Sequence, residues 1–263
     1  MQYREHRPSL PLKSAVACYW TLLADGAATH RVLPDGSLDV LFSFADPVTS
    51  RDAAIVGAMT HAVVVEPSGR VDLLGVRFRP GEAARLLGLP VAELTDDATE
   101  LHAAWGAASR SLHGELGDSP TPEGRLRALD RALLHRLDRA AAPDPGMRAA
   151  VALARGTNGR SALVELARAA GLTPRTLERR FERAVGLGPK TFSRVMRLQA
   201  LVAAVLAAPG RPDWAALAAD FGFYDQAHFI HDFRALAGLT PSEYVRELSG
   251  GSSDRAAPVF PSS

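Results

Sequence analysis

Hydrophobic and polar positions divide the chain near Pro80 into two kinds of pattern. Before this residue, apolar runs at 15–23, 38–44, 62–66 and 71–78 are separated by turn residues, as is typical of half-buried β-strands. A Pro-Asp-Gly turn occupies residues 34–36, and Pro-Ser-Gly at 67–69 lies between the last two runs, which predicts a hairpin there. This part of the chain therefore predicts a small β-sheet or barrel.

After Pro80 the apolar residues recur at helical spacing. Residues 80–88 predict a short helix that ends at Gly88, and longer helices are expected over 101–116 and 122–140. The last of these has a leucine stripe that packs either against its own domain or against a second subunit, formed by Leu126, Leu129, Leu133, Leu134 and Leu137. Residues 141–146 predict a linker.

The last third of the chain contains an internal repeat. Residues up to Gly171 match residues 51 positions later, and residues from Thr173 onward match residues 52 positions later. The one extra residue of the second copy therefore falls in the turn between its two helices. The matching pairs include Leu166 with Leu217, Gly171 with Gly222, Leu177 with Phe229, Phe181 with Phe233, Gly186 with Gly238, and Pro189 with Pro241.

Each copy has the form of a helix-turn-helix unit. In the first copy, Ser161 is expected to cap a helix that runs to Ala170, Gly171 to end it, and Thr173 with Pro174 to begin the next. In the second copy, the helices are expected to begin at Asp213 and Asp225. Leu177 and Phe181, like Phe229 and Phe233, lie four residues apart and are predicted to face inward, which leaves polar outer faces that can enter the major groove of DNA.

A long helix over 189–207 is expected to join the two copies and to hold their second helices at a fixed separation. Helices in successive major-groove segments lie about 34 Å apart, so one chain would contact about two turns of DNA. The fold class expected is α+β, with an N-terminal sheet or barrel carrying helices and an all-α C-terminal domain. The domain limits expected are 1–142, 147–249, and a disordered tail at 250–263 that is rich in Gly, Ser and Pro.

Composition and charge agree with two different modules. The chain has 263 residues, of which 47% are hydrophobic. Residues 147–249 contain 14 Lys and Arg against 9 Asp and Glu, whereas residues 1–146 contain 15 against 19. A basic half beside an acidic half favours one module that faces nucleic acid. The start of the chain has no signal-peptide pattern and no stretch resembles a membrane span, which predicts a cytoplasmic protein without membrane contact.

At the repeat, the sequence resembles the AraC/XylS family of bacterial transcription regulators. The resemblance covers about 147–248 and is most specific at 221–229, Phe-Gly-Phe-Tyr-Asp-Gln-Ala-His-Phe, followed by Gly-Leu-Thr-Pro at 238–241 and by Tyr244. The first copy matches at 166–177 and at Arg180-Phe181. The segments at 33–36 and 75–81 look like an uncharacterised module found ahead of such domains.

The resemblance implies that the second helix of each unit reads bases from its outer face. The implied base-contacting residues are Arg175, Glu178, Arg179, Gln226, Ala227, Ile230 and His231. Arginine can pair with guanine, glutamine with adenine, and isoleucine can touch a thymine methyl group. Glu178 could accept from cytosine, orient a neighbouring arginine, or simply be solvated. Phosphate contacts are expected at helix N-termini and from Thr173, Arg160, Lys190, Arg194 and Arg197.

Chemistry outside the repeat is sparse. The single cysteine, Cys18, excludes a disulfide or a Cys-based zinc site within one chain, and it is expected to be buried rather than reactive. No catalytic constellation is recognisable, so we expect no enzyme, no metal and no cofactor. Asp35 fits an Asx-type turn. A candidate ligand pocket in the N-terminal module would be lined by Trp20, Asp35, Asp39, Phe42 and Phe78.

These expectations combine into a transcription regulator that binds promoter DNA. In one hypothesis the N-terminal module senses a small-molecule effector or a partner, and thereby alters DNA affinity or contacts with RNA polymerase. In the other, this module only dimerises or docks proteins, and the leucine stripe is its best support. Many members of the family are activators, which the resemblance implies for this chain.

Overall fold

The computed structural model describes residues 2–25, 29–44, 53–66, 69–207 and 212–250. The tail expected at 250–263 lies outside these residues apart from its first position, and so do Pro67 and Ser68 of the expected hairpin turn. The fold is α+β, as the sequence predicts. Among the described residues, the strands lie within the first 100 positions and most α-helices follow them, while the α-helix Ala83–Leu87 lies between two strands.

In the described part of the chain, eight strands form two antiparallel sheets. The strands are β1 (Gln2–His6), β2 (Val16–Asp25), β3 (His30–Val32), β4 (Leu38–Ser43), β5 (Ala53–Val56), β6 (Val63–Val65), β7 (Arg70–Phe78) and β8 (Ala98–Glu100). The larger sheet has the order β1-β2-β7-β4-β5-β8, and β3 pairs with β6 in the smaller one. Short 3-10 helices at Leu10–Ser14 and Ala92–Leu94 complete this part.

The predicted hairpin between the runs at 62–66 and 71–78 is wrong. Strand β7 lies in the middle of the larger sheet, paired with β2 on one side and with β4 on the other. Both of its edges are therefore occupied, and β6 pairs instead with β3, with Val65 opposite His30.

Helices cover one face of the larger sheet. They are α1 (Ala83–Leu87), α2 (His102–Trp105), α3 (Ala107–Gly117) and α4 (Pro122–Arg139). The expected single helix over 101–116 is interrupted at Gly106, whose backbone (φ +55°, ψ −138°) lies outside the helical region. Leu129 and Leu133 of the leucine stripe are fully buried in the core of this module, and the other three leucines pack against that core. The intradomain alternative for the stripe is therefore confirmed.

The C-terminal helices share a second core. They are α5 (Pro145–Gly156), α6 (Leu163–Ala169), α7 (Pro174–Val185), α8 (Pro189–Ala207), α9 (Trp214–Asp220), α10 (Gln226–Ala237) and α11 (Pro241–Gly250). Residues of both repeat copies and of α8 belong to one continuous hydrophobic cluster, which also includes Ala58 from the N-terminal part. None of the described helices has the length and apolar character needed to cross a membrane.

Two helix starts differ from expectation. Helix α5 begins at Pro145, inside the predicted linker, because the Asp144 carboxylate accepts hydrogen bonds from the amides of Gly146 and Met147. Helix α6 is preceded by Ala162 rather than capped by Ser161. The Ala162 amide donates to Glu165 Oε2 at 2.8 Å, while the Ser161 hydroxyl lies 3.0 Å from that of Thr157.

Candidate nucleic-acid interface

Helix α7 presents a polar face opposite an apolar one. Its first turn is capped by Thr173, whose hydroxyl accepts from the Thr176 amide at 3.3 Å, and Pro174 occupies the first helical position. Leu177 and Phe181 are completely buried. On the opposite side, the predicted base-contacting residues Arg175, Glu178 and Arg179 are all exposed.

Helix α10 repeats this arrangement in the second copy. The Asp225 carboxylate caps it by accepting from the His228 amide at 2.7 Å, and Phe229 and Phe233 are buried in the core. Of the predicted base-contacting residues, Gln226, Ala227 and His231 are exposed, whereas Ile230 is half-buried and packs partly against the core. Sequence reasoning passed over Tyr224, an almost fully exposed aromatic residue next to this helix start.

Helix α8 connects the two units through side chains as well as through the chain. Phe192 of α8 packs edge-to-face on Phe181 of α7, with ring centroids 5.4 Å apart. Further along α8, Arg194 donates to the Asp232 carboxylate of α10 at 2.7 Å. One side chain thus fixes the long helix to each of the helices that carry the predicted base contacts, α7 and α10, which we call the recognition helices.

The five predicted phosphate-contacting side chains lie in different surroundings. Lys190 is exposed at the start of α8, and Thr173 is exposed but serves as a helix cap. Arg160 donates to the carbonyl of Thr157 at 3.2 Å. Arg194 is engaged with Asp232, as described above.

Arg197 is the most enclosed of the five. It donates to the Gly159 carbonyl at 3.0 Å, its guanidinium lies 5.1 Å from the ring centre of Phe223, and burial lowers its pKa. Sequence reasoning missed the partners that Arg194 and Arg197 have inside the protein, because those partners are distant in the chain.

Comparison with known protein families identifies this part of the chain. A helix-turn-helix domain family matches residues 166–247, which include both recognition helices. The C-terminal domain is an AraC-type helix-turn-helix domain. The chain is accordingly a DNA-binding transcription regulator.

Other comparisons concern the N-terminal part and the whole chain. Residues 4–100, which precede the AraC-type domain, match a domain of unknown function (DUF6597). ToxT from Vibrio cholerae, in its P21 crystal form, is 9% identical over 94% of this chain and 98% of its own, with a TM-score of 0.45. Unsaturated fatty acid bound wild-type ToxT from the same organism is 10% identical over 94% and 99%, with a TM-score of 0.43. No curated protein matches the sequence.

The candidate pocket residues ahead of the AraC-type domain do not form one group. Phe42 and Phe78 are completely buried among the side chains between the larger sheet and its helices. Trp20 and Asp39 lie on the other face of the sheet, where the indole Nε1 donates to the Asp39 carboxylate at 3.1 Å. Asp35 forms the expected Asx-type turn, since its carboxylate accepts from the Ser37 amide at 2.8 Å.

Arg77 is the residue that joins these carboxylates, and sequence reasoning missed it. Its guanidinium donates to Asp39 at 2.8 Å and lies 3.3 Å from Asp35. Burial raises the pKa of the Asp39 carboxyl, and the Arg77 charge opposes part of this increase. Although burial lowers the pKa of Arg77, the two carboxylates outweigh this effect and raise it. The cluster therefore consists of buried charges that depend on one another.

Cys18 lies on the same face of the sheet as Trp20. It is buried, as predicted, and burial raises the pKa of its thiol to about 12. Within the part of the chain that the structure describes, no group of three His, Cys, Asp or Glu side chains could hold a metal ion.

Proposed function

We propose that this protein reads a specific DNA sequence through the outer faces of α7 and α10, and that its N-terminal module regulates this binding. The observation that carries the proposal is the repetition of one geometry. In both copies, a capped helix buries two large apolar side chains and exposes hydrogen-bonding side chains on the opposite face. Two such faces on one continuous core suit two neighbouring segments of the major groove.

Each exposed side chain has a role that its chemistry supports. Arg175 and Arg179 can each place two donors on O6 and N7 of guanine, and Gln226 can pair with adenine in the same bidentate way. Ile230 is half-buried, and the part of its side chain that stays accessible can offer a methyl group to thymine. Because α10 exposes fewer charged residues than α7, we expect the second half-site to be read less stringently.

Phosphate contacts would come from the exposed N-terminal ends of α7 and α10 and from Lys190. Arg194 and Arg197 are engaged with Asp232 and Gly159 within the protein. Each arginine would therefore contact a phosphate group in one of two ways. It would either do so while still bound to its present partner or give up that partner for the phosphate.

The N-terminal module, taken as residues 1–142, is proposed to sense a ligand or a partner. The buried cluster of Trp20, Asp35, Asp39 and Arg77 supports this role, because a buried ion pair adds little net stability and groups with strongly perturbed pKa values cluster at functional sites. The competing hypothesis, a module that only dimerises or docks proteins, loses its main support because the leucine stripe is used in the module's own core.

The proposal is tested by binding of the full chain to a pool of genomic fragments at two salt concentrations. We expect enrichment of a shared motif about two turns of DNA long, with an affinity that falls steeply as salt rises. A combined Arg179→Ala and Gln226→Ala variant should lose the motif but keep weak, salt-dependent binding. If the wild-type chain enriches no common sequence, with or without a library of candidate small molecules, specific reading is refuted.

A further inference from the structure

The N-terminal module contacts the carboxyl end of the first recognition helix. The amide of Val91 donates to the Arg183 carbonyl of α7 at 3.2 Å, and the Thr95 hydroxyl donates to the carbonyl of Gly186. The last four carbonyls of an α-helix have no partner within the helix. At α7, donors from a different part of the chain fill this role.

The same module contacts the carboxyl end of the second recognition helix. The amide of Ala62 donates to the Leu236 carbonyl of α10 at 2.7 Å. Arg31 of β3 donates to the Ala237 carbonyl at 3.3 Å, and its guanidinium also meets both carboxylate oxygens of Glu247 in α11, at 3.2 and 3.3 Å. A cation at a helix carboxyl end interacts favourably with the helix dipole.

The two contacts fall at equivalent positions of the repeat. Gly186 and Gly238, which end α7 and α10, are matched residues and both have left-handed backbones, with φ of +87° and +75°. A Cβ atom on Gly186 would lie 3.3 Å from the Val91 carbonyl oxygen, and one on Gly238 would lie 3.1 Å from Arg31. The N-terminal module thus fits closely against the same place in both copies.

One short stretch of chain, residues 57–62, reaches both ends, and we call it the bridging segment. Near its start, Ala58 is completely buried in the C-terminal core and lies beside Gly186. Its last residue, Ala62, binds α10. The four residue steps from Ala58 to Ala62 can span at most about 14 Å, so the bridging segment limits how far apart the two helix ends can move.

The bridging segment is itself held rigidly. The Gly57 amide donates to the Asp97 carbonyl at 3.0 Å, and the Asp96 amide donates to the Ala58 carbonyl at 3.1 Å. In addition, the Thr60 amide donates to the Asp96 carboxylate at 2.6 Å. Because these bonds lie within the N-terminal module, the bridging segment joins the two recognition helices as a fixed spacer.

From this geometry we infer that the N-terminal module sets the spacing between the two recognition helices, with Arg31 and Thr95 as positioning residues. This inference rests on the proposed function, since it concerns the relative position of the two helix faces, on α7 and α10, that are proposed to read DNA. It assigns to the module a direct part in specificity: the chain would accept two half-sites only at the separation that the bridging segment permits.

The test compares the full-length wild type with Arg31→Ala on its enriched operator and on operators with one base pair added or removed between the half-sites. For the wild type, we expect each altered spacing to lower affinity by about tenfold or more. For Arg31→Ala, the native operator should bind about fivefold more weakly or worse, and the penalty for altered spacing should shrink below about fivefold. Binding to an operator with a scrambled second half-site should be unchanged.

Arg131→Ala is the matched control, because it removes an arginine from an exposed ion pair with Glu115 elsewhere in the same module. It should behave like the wild type in every assay. Thr95→Val tests the α7 end independently and should also weaken the dependence on spacing. If Arg31→Ala and Thr95→Val keep the full spacing penalty, or if either binds DNA more tightly than the wild type, the inference is wrong.

Hydrogen exchange without DNA separates this inference from the proposed function. Exchange of the amides at 234–238 should accelerate in Arg31→Ala and stay unchanged in Arg131→Ala, because the carboxyl end of α10 loses one of its two external donors. Faster exchange together with no enriched motif in the wild type would refute specific DNA reading but leave the spacer in place. Unchanged exchange would overturn the positioning role of Arg31.

Discussion

Arginines on α7 and in the N-terminal module lie in contrasting surroundings. Arg175 and Arg179 are exposed and have room for a large polar ligand, whereas Arg77 is enclosed with Asp35 and Asp39. An exposed arginine costs little to keep and can exchange water for a base edge. A buried one is costly unless its carboxylates stay in place, so the two groups should respond differently to substitution.

Replacing Arg179 by alanine should change the reading of one half-site only. The lost contact is expected to cost about 1–3 kcal/mol of binding free energy and to relax base preference at the positions that α7 reads. Affinity measured against operators with single-base changes in each half-site checks this. Arg127→Ala, which removes an exposed arginine on α4, should leave every position unaffected; loss of selectivity in both half-sites would contradict the assignment.

Cys18 should be nearly inert towards thiol reagents in the folded protein. Raising its pKa from 9.0 to about 12 lowers the thiolate fraction at pH 8 by about a thousandfold. We therefore expect very slow reaction with an aromatic disulfide reagent at pH 8 and rapid reaction in urea. The same shift means that folding stability contributed by this thiol is present below pH 9.0 and is lost as pH rises towards 12. Fast labelling of the native protein would disagree with the described burial.

At the scale of elements, α4 packs against the larger sheet and stabilises it. Its leucine stripe lies in the core beside the sheet, and Asp130 on the same helix accepts a hydrogen bond from the Tyr19 hydroxyl of β2 at 2.7 Å. The helix is therefore fixed by both apolar and polar contacts to one sheet face.

Shortening one leucine of the stripe should destabilise the protein strongly. Leu133→Ala removes a completely buried side chain and is expected to lower the free energy of unfolding by about 2–5 kcal/mol. Leu206→Ala on α8, where the side chain is 49% exposed, should cost less than about 0.5 kcal/mol. Urea unfolding measures both. Similar effects from the two variants would argue against burial of the stripe.

The sequence predicted the C-terminal elements better than the N-terminal ones for a physical reason. Helix limits depend on neighbours in the chain, so Thr173, Asp225 and the glycines after each helix placed α7 and α10 closely. Strand pairing depends on residues far apart, and no local signal showed that β6 pairs with β3 rather than β7. Likewise, Arg77 sits in an apolar run, and its partner Asp39 is distant in sequence.

At the scale of the whole molecule, the two modules are joined by more than the chain between α4 and α5. Glu82 is 3% exposed and binds Arg85 of α1 and Arg148 of α5, each at 2.6 Å. With the contacts of the bridging segment, this ion-pair group makes the N-terminal module part of the support for the helical domain.

Replacing Glu82 by glutamine should destabilise both modules together. Loss of the charge shared by two arginines is expected to lower the free energy of unfolding by about 2 kcal/mol. The unfolding transition, followed by both tryptophan fluorescence and helical circular dichroism, should shift as one. Glu115→Gln, in an exposed ion pair, should have an effect below about 1 kcal/mol. Separate transitions for the two probes would show that the modules unfold independently.

The contacts that the N-terminal module makes with the recognition helices go to main-chain carbonyls, at Arg183, Gly186, Leu236 and Ala237. Main-chain atoms are the same whatever side chains a helix carries. The outer faces of α7 and α10 can therefore change during evolution, or be redesigned in the laboratory, without disturbing the supports that aim them. Such an arrangement suits a protein lineage that acquires new target promoters by exchanging a few exposed side chains.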